Sequence, residues 1–359
     1  MFNLRGIDAG AILRIHWGEM CSQNDSSLSP ESRPGRLVRR RTLLGGAAGL
    51  ATAGVLARRS RAESAPTVRL AIIADLHHDV MHDAPARLEA FLAQAKEWKA
   101  HAVMEMGDFC VPKPANRPLA ERFESFPGPR FHLLGNHDMD QGHKREEVVA
   151  FHKMPGRYYS FDLNGIHGIV LDGNDRPADH KSGYPSFIAQ DQIEWLRADL
   201  ERATAPVFVF SHQSLERPNC IRSQAEVRAV IEAAKRPDGT RKVAACLNGH
   251  FHLDHARDIN GIPYIHVNSA SYYWVGSEFA RDRYGPEIDK AHPHIRSTAP
   301  YRDPLFTLLE IDLAKKKFSL TGKDSVWVGP SPQEIGRTYE GIDPAWIAPK
   351  QSARQGSFS

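Results

Sequence analysis

The sequence predicts an α/β protein of the α+β type, a sandwich of two β-sheets flanked by helices. Three observations predict it. Continuous apolar runs with β-branched residues, such as residues 68–74, are typical of buried strands. Helical patterns alternate with these runs in the first half of the chain, and strand patterns dominate later. Short motifs rich in His and Asp follow the runs, as expected where strand ends share one edge of a sheet.

In the first half of the chain we predict three strands, over residues 68–74, 102–106 and 130–134. A helix is predicted over 85–99, because Pro85 suits a first helical turn and apolar side chains recur at helical spacing after it. The Pro-rich stretch 112–129 indicates a loop.

In the second half, Asn164-Gly165 predicts a tight turn between two strands within residues 157–171. Amphipathic patterns predict helices, and further apolar runs predict strands. The helices are expected over 190–202 and 223–235, and the strands over 206–210, 243–247, 262–268, 305–312 and 317–322.

The domain organisation follows from these elements. We expect a leader over residues 1–65, one large domain over 66–329 with an insertion at 271–304, and a C-terminal surface tail over 330–359. The leader holds ten arginines and five acidic residues, a net +5, whereas the rest holds 36 basic and 38 acidic residues, a net −2. This balance disfavours a nucleic-acid partner and therefore a nuclease.

The leader carries Arg40-Arg41-Thr42-Leu43-Leu44, followed by a mild apolar stretch and small residues. It resembles a bacterial twin-arginine export signal. The resemblance implies the twin-arginine translocase as a partner and a periplasmic location. The alternative is a disordered basic tail on a cytoplasmic protein. The cysteines outside the leader lack metal-site spacing and suit small core residues, with one disulfide as the alternative.

Five polar motifs follow the predicted strands. They offer carboxylate, imidazole and amide ligands, the mixture that a two-metal hydrolytic centre needs. Taken singly each has another reading: a turn cap for Asp75, a left-handed turn for Asn136, a core histidine for His212. The motifs are Asp75-Leu76-His77, Gly107-Asp108, Gly135-Asn136-His137-Asp138, Ser211-His212 and Gly249-His250-Phe251-His252.

With these motifs in this order, residues 68–270 resemble the calcineurin-like metallophosphoesterase family, whose pattern is D-x-H, G-D, G-N-H-D/E, a lone H and G-H-x-H. The resemblance implies the two-sheet sandwich and a dinuclear phosphoesterase that hydrolyses phosphomonoesters or phosphodiesters, nucleotides included, by a metal-bridging hydroxide. The alternatives are a nucleotide pyrophosphatase and a non-catalytic binding or scaffold protein. The expected partner is a small phosphorylated substrate.

The resemblance also implies a role for each motif residue. Asp75, His77 and His252 would bind one metal ion, Asn136, His212 and His250 the other, and Asp108 would bridge both. His137 would protonate the leaving oxygen or stabilise the phosphoryl charge, and Asp138 would orient His137. The implied metals are Mn, Fe, Zn or Co, since no thiolate is present to select zinc. Val111 stands where purple acid phosphatases carry tyrosine, so a purple centre is not expected.

Two segments are candidates for the substrate-facing walls. Residues 271–304 are aromatic and charged, with Tyr272, Arg283 and Tyr284 among them, and follow the last ligand motif. Aromatic side chains can stack on a nucleobase and arginines can bind phosphate oxygens. A purely structural loop is the equal alternative. The loop over 172–185, with Asp172 and Asn174, is the second candidate, and a turn role is its equal alternative.

Overall fold

The computed structural model describes residues 67–218, 220–337 and 339–359, and two six-stranded sheets form the centre of this region. The predicted leader over 1–65, with its twin-arginine motif, lies outside the described residues. The helices are α1 (Ala84–Glu97), α2 (Arg117–Glu124), α3 (Arg145–Phe151), α4 (Gln190–Arg202), α5 (Gln224–Ala233) and α6 (Pro286–Ala291).

The described region contains sixteen strands: the seven before residue 250 follow the predicted segments, and six of the nine after it were not predicted. They are β1 (Thr67–Ile73), β2 (Ala102–Glu105), β3 (Arg130–His132), β4 (Tyr159–Leu163), β5 (Ile166–Leu171), β6 (Val207–Ser211), β7 (Val243–Asn248), β8 (Ala256–Ile259), β9 (Ile262–His266), β10 (Tyr272–Trp274), β11 (Thr298–Pro300), β12 (Thr307–Asp312), β13 (Lys317–Leu320), β14 (Lys323–Asp324), β15 (Lys350–Gln351) and β16 (Arg354–Ser357).

The first sheet has the order β16-β13-β12-β1-β2-β3. β1 pairs in parallel with β2, and β2 with β3, so their carboxyl ends lie at one edge. Alternate residues of β1 serve two cores: Leu70 and Ile72 pack between the sheets, and Ala71 and Ile73 pack among residues of α1 and α2. Burial on both faces explains the continuous apolar run.

The second sheet has the order β4-β5-β6-β7-β9-β8. Its four inner strands, β5, β6, β7 and β9, pair in parallel. Phe208 and Phe210 face the first sheet, and Val207 and Val209 pack with apolar residues of α4 and α5. The loops after β6 and β7 therefore leave the second sheet at one edge. In the same way, the loops after β1, β2 and β3 leave the first sheet at one edge.

The region predicted as a Pro-rich loop contains α2, so that part of the prediction is wrong. Pro118 lies in the first turn of α2, where a missing backbone N–H costs nothing. Leu119, Ala120 and Phe123 then face the core. The many prolines of this stretch indicated a loop, but one of them, Pro118, lies at the start of a helix.

The segment over 330–359 is not only a surface tail as predicted. Its last strand, β16, pairs antiparallel with β13 and forms the edge of the first sheet. Ile347 and Gln351 are buried. The strand covers backbone groups of β13 that would otherwise be unpaired, which gives this polar segment a place in the fold.

Two further findings concern core and membrane character. Cys110, Cys220 and Cys246 are buried, in agreement with their interpretation as small core residues. Among the residues that the structure describes, no helix has the length and apolar character needed to cross a membrane.

Candidate metal centre

The predicted ligand residues meet in two groups at the loops that follow the parallel strands. Within each group, one ligand atom of every residue lies within 4.8 Å of the others. All six side chains are buried. The first group is Asp75, His77 and His252, and the second is Asp108, His212 and His250.

The first group is held in a form suited to bind a cation. His252 Nε2 lies 3.1 Å from Asp75 Oδ1 and 3.2 Å from His77 Nε2. His252 Nδ1 lies 2.6 Å from the carbonyl oxygen of Tyr272, which can only accept a hydrogen bond. Nδ1 therefore carries the proton, and the Nε2 lone pair is directed at the cluster.

The second group repeats this arrangement. His212 Nδ1 donates to the carbonyl oxygen of Met106 at 2.8 Å, which orients the ring. Its other nitrogen, Nε2, lies 3.1 Å from Asp108 Oδ2. The same Oδ2 atom is 3.7 Å from His77 Nε2 in the first group. Asp108 thus lies between the two groups, where a bridging carboxylate is expected.

Asn136 is the seventh predicted ligand. Its side chain is 2% exposed, and neither its amide oxygen nor its amide nitrogen has a hydrogen-bond partner within the described structure. Such a buried polar group costs about 1–3 kcal/mol, so an unmade bond here points to a ligand. Its backbone is right-handed (φ −73°, ψ −33°), which rules out the left-handed turn reading. A neutral oxygen beside carboxylates and imidazoles fits a divalent cation.

The backbone at the ligand residues is unusual. Five of them are non-glycine residues with left-handed φ angles, a conformation that costs free energy and gathers at functional sites. The residues are Asp75 (53°), His77 (49°), Asp108 (57°), His250 (70°) and His252 (53°). These residues lie in the loops that follow β1, β2 and β7, and their side chains form the two ligand groups.

Gly135 has a separate steric reason. A Cβ atom at this position would overlap the Asp108 side chain and backbone. Only glycine therefore lets the loop with Asn136 approach the loop with Asp108.

Burial and charge set the protonation of the histidines. Burial lowers the pKa of His77 and of His250 well below the usual range, so both rings are neutral, the form that binds a metal. Burial also lowers the pKa of His212, but the carboxylates of Asp108 and Asp75 outweigh it and raise the pKa to about 10. A bound cation would replace that proton.

His137 lies at the edge of the centre, with its ring centroid 5.3 Å from that of His77. The sequence predicted that Asp138 orients it, and this is wrong. His137 Nδ1 instead lies 2.8 Å from Asp140 Oδ2 and 3.0 Å from the Tyr184 hydroxyl. Residues 137–142 form 3₁₀ turns, in which side chains three residues apart lie on the same side. Sequence reasoning missed Asp140 and Tyr184; only the i+3 spacing of Asp140 was a signal.

Asp138 has another task. Its carboxylate accepts backbone N–H bonds from Asp108 at 3.0 Å, Phe109 at 2.8 Å, Cys110 at 3.2 Å and Gly135 at 2.9 Å. It thereby joins the loops that carry Asp108 and Asn136. Burial, together with the nearby Asp108 charge, raises the pKa of Asp138 to about 7.

The sequence model of the calcineurin-like phosphoesterase family matches residues 68–254, more than half of the chain. The chain belongs to the calcineurin-like phosphoesterase family. A manganese-dependent ADP-ribose/CDP-alcohol diphosphatase of Arabidopsis thaliana is 38% identical over 95 residues, which are 22% of this chain and 30% of that protein. The match thus spans about a third of the curated relative's length.

A solved structure supports the fold. The crystal structure of a dimetal phosphatase from Danio rerio superimposes with a TM-score of 0.52 at 13% identity, covering 73% of this chain and 98% of that one. The predicted family and the predicted two-sheet α/β fold are confirmed.

The two segments predicted to form substrate-facing walls, residues 271–304 and 172–185, contact the centre in different ways. The Tyr272 ring stacks on His77, with centroids 4.9 Å apart and planes at 28°. Farther along the 271–304 insertion, Tyr284 packs on His82 and Arg283 contacts the carbonyl of Pro330. Of these three insertion residues, Tyr272 therefore makes the contact with the centre, near the N-terminal end of the insertion.

The loop after β5 supports the centre from the other side. Asn174 Nδ2 donates to the carbonyl of Leu134 at 3.1 Å, and Asn174 Oδ1 accepts from Gln213 at 2.8 Å. These neighbours precede the Asn136 motif and follow His212. Asp172 Oδ1 accepts from the Asn174 side chain at 2.9 Å. Both residues thus brace the ligand loops.

Proposed function

We propose that this chain is a dinuclear metal-dependent hydrolase of phosphoester bonds in small phosphorylated molecules. The observation that carries the proposal is the buried, unpartnered Asn136 amide beside two ligand groups that share Asp108. A purely structural cluster would be expected to pair that amide.

The roles of the chain's residues follow from their contacts. We assign Asp75, His77 and His252 to one cation, Asn136, His212 and His250 to the other, and Asp108 to both. When bound, the two cations supply positive charge that activates water and neutralises the phosphoryl oxygens. The carbonyls of Tyr272 and Met106 accept hydrogen bonds from Nδ1 of His252 and of His212, which leaves Nε2 of each ring as the atom that binds a cation.

His137 supplies the proton for the leaving oxygen in this proposal. Burial lowers its pKa, but the carboxylates of Asp108 and Asp140 raise it, to about 9. In the metal-free protein the ring therefore holds its proton near neutral pH, and a protonated imidazole is the form that can act as a general acid. Its partly exposed position, with 27% of the side chain accessible, leaves room for a substrate.

A diphosphate bond is the second candidate substrate. It is favoured by the 95-residue match to the manganese-dependent ADP-ribose/CDP-alcohol diphosphatase. That name also makes Mn²⁺ the first metal to test, before Fe, Zn and Co. The ligand set is common to both candidates, so substrate comparison must separate them.

The test is turnover by the full chain loaded with Mn²⁺, measured on p-nitrophenyl phosphate, bis-p-nitrophenyl phosphate and ADP-ribose. We expect hydrolysis of at least one, and loss of about 10³-fold or more in Asp108→Asn, since that residue serves both cations. Asp162→Asn is the matched control, because Asp162 is 82% exposed on β4. A metal-loaded chain that hydrolyses none of the three compounds would overturn the hydrolase and favour the scaffold alternative.

We also propose export by the twin-arginine translocase to the periplasm, on the pattern Arg40-Arg41-x-Leu43-Leu44 alone. Replacing Arg40 and Arg41 together by lysine should retain the protein in the cytoplasm of a bacterial host. Unchanged fractionation between wild type and the double variant would contradict this proposal.

A further inference from the structure

We propose that Asp140 and Tyr184 are positioning residues that hold the His137 ring so that its Nε2 atom faces the reacting phosphoryl group. The inference rests on the proposed hydrolase function and specifies how its proton donor is oriented.

The contacts form a closed triangle. Asp140 Oδ2 lies 2.8 Å from His137 Nδ1, and the Tyr184 hydroxyl donates to Asp140 Oδ1 at 2.6 Å. The third side is the 3.0 Å separation between that hydroxyl and His137 Nδ1. Both carboxylate oxygens of Asp140 are therefore occupied, which fixes its plane.

Hydrogen-bond roles determine the tautomer. The single hydroxyl proton of Tyr184 is used toward Asp140, and an ionised Asp140 can only accept. His137 Nδ1 must then carry a proton to bond to Asp140. Nε2 is left as the atom that exchanges a proton with a substrate.

The two positioning residues come from opposite sides of the fold. Asp140 follows β3 of the first sheet, and Tyr184 lies in the loop after β5 of the second. The base of that loop is closed by Asp175 N to Phe187 O at 3.0 Å and Phe187 N to Gly173 O at 2.9 Å. His137 is thus held between anchored segments.

The arrangement serves the hydrolysis of a phosphoester bond by water. The oxygen of water forms a bond to phosphorus, and the bond between phosphorus and the leaving oxygen breaks with its electrons moving to that oxygen. His137 Nε2–H gives its proton to the leaving oxygen and regains the proton that the water releases. Proton delivery matters most when the leaving oxygen is a strong base.

The experiment compares two monoesters in the Mn²⁺-loaded full chain. Phenyl phosphate releases phenolate, a stronger base than the p-nitrophenolate released by p-nitrophenyl phosphate. We expect Asp140→Asn to lower kcat about 10–100-fold on phenyl phosphate and less than about 3-fold on p-nitrophenyl phosphate. Tyr184→Phe should show the same selectivity with a smaller loss.

Asp162→Asn is again the matched control. It removes an aspartate 2.8 Å from a histidine nitrogen, that of His167, on the exposed surface. We expect no change on either ester. Equal losses on both esters in Asp140→Asn, or no loss on either, would overturn the positioning role, because a merely structural defect does not depend on the leaving group.

A second readout does not need turnover. At a pH high enough to make the His137 ring neutral, long-range ¹H–¹⁵N spectra of the zinc-loaded full chain should show this ring, identified with His137→Gln, bearing its proton at Nδ1, and Asp140→Asn should abolish that preference. A mixed tautomer in wild type would overturn the proposal. A fixed tautomer in a chain that hydrolyses neither monoester, nor bis-p-nitrophenyl phosphate, nor ADP-ribose would support the positioning and refute the hydrolase.

Discussion

Asn136 and Asn116 offer a direct contrast between a ligand and a structural amide. Both are buried, at 2% and 3% exposure, and both have right-handed backbones. Asn116 Nδ2 donates to Asp79 Oδ1 and to the carbonyl of Val111, each at 3.0 Å, whereas the Asn136 amide has no partner in the described part of the chain. Replacement by leucine should therefore destabilise the metal-free protein at Asn116 and not at Asn136.

The magnitudes follow from those contacts. In EDTA, Asn136→Leu removes an unsatisfied buried amide that costs about 1–3 kcal/mol, so the free energy of unfolding should stay level or rise by that order. Asn116→Leu leaves Asp79 and the Val111 carbonyl without their donor and should lower it by about 1–3 kcal/mol. With Mn²⁺ at 100 times its dissociation constant, each site adds about 2.7 kcal/mol, and Asn136→Leu should lose one such increment.

The assay is urea denaturation of the full chain in EDTA and in Mn²⁺. Two results would refute the reasoning. One is a destabilisation of the metal-free protein by Asn136→Leu as large as that by Asn116→Leu. The other is a Mn²⁺-dependent gain in stability that Asn136→Leu leaves unchanged.

Three further variants test the surrounding structure. Gly135→Ala should displace Asp108 and reduce Mn²⁺ affinity more than about 10-fold, measured by titration calorimetry, and unchanged affinity would contradict the steric argument. Asp138→Ala should weaken Mn²⁺ binding about 10–100-fold, because four backbone donors lose their acceptor, yet leave the His137 tautomer fixed; a change in that tautomer would contradict the assignment. Burial, with Arg117 nearby, lowers the pKa of His152 to about 3, so the unfolded chain binds its proton first and stability falls as pH drops below 6.5 toward 3. At pH 5 this amounts to about 2 kcal/mol, and His152→Phe should flatten the acid limb of urea denaturation in EDTA by that amount, while parallel limbs would refute it.

Much of the fold was predictable because burial leaves a strong pattern. β1, β6 and β7 are apolar on both faces, and their boundaries fall within a residue or two of the predicted runs. Weaker elements were missed where local and tertiary signals disagree. α2 has a proline in its first turn and lies in a Pro-rich stretch, and β16 is polar because it lies at a sheet edge with little apolar burial.

The ligand residues were predictable as a set, because each motif ends a strand and parallel strands bring such ends together. The neighbours of His137 were not. Asp138 was adjacent in sequence, but its carboxylate points to the backbone of the Asp108 loop. Tyr184 approaches from the second sheet, a proximity that only the tertiary structure supplies. The left-handed backbones of residues such as His250 likewise left no mark in the residue pattern.

The central claim is that this chain holds two divalent cations on ligands that share Asp108. The most direct measurement is the metal content of the full chain after Mn²⁺ loading and dialysis, by mass spectrometry, for wild type and Asp108→Asn. The account predicts two Mn²⁺ per wild-type chain and fewer than one in the variant. A folded wild-type chain that retains no metal, or a variant that still retains two ions, would contradict it.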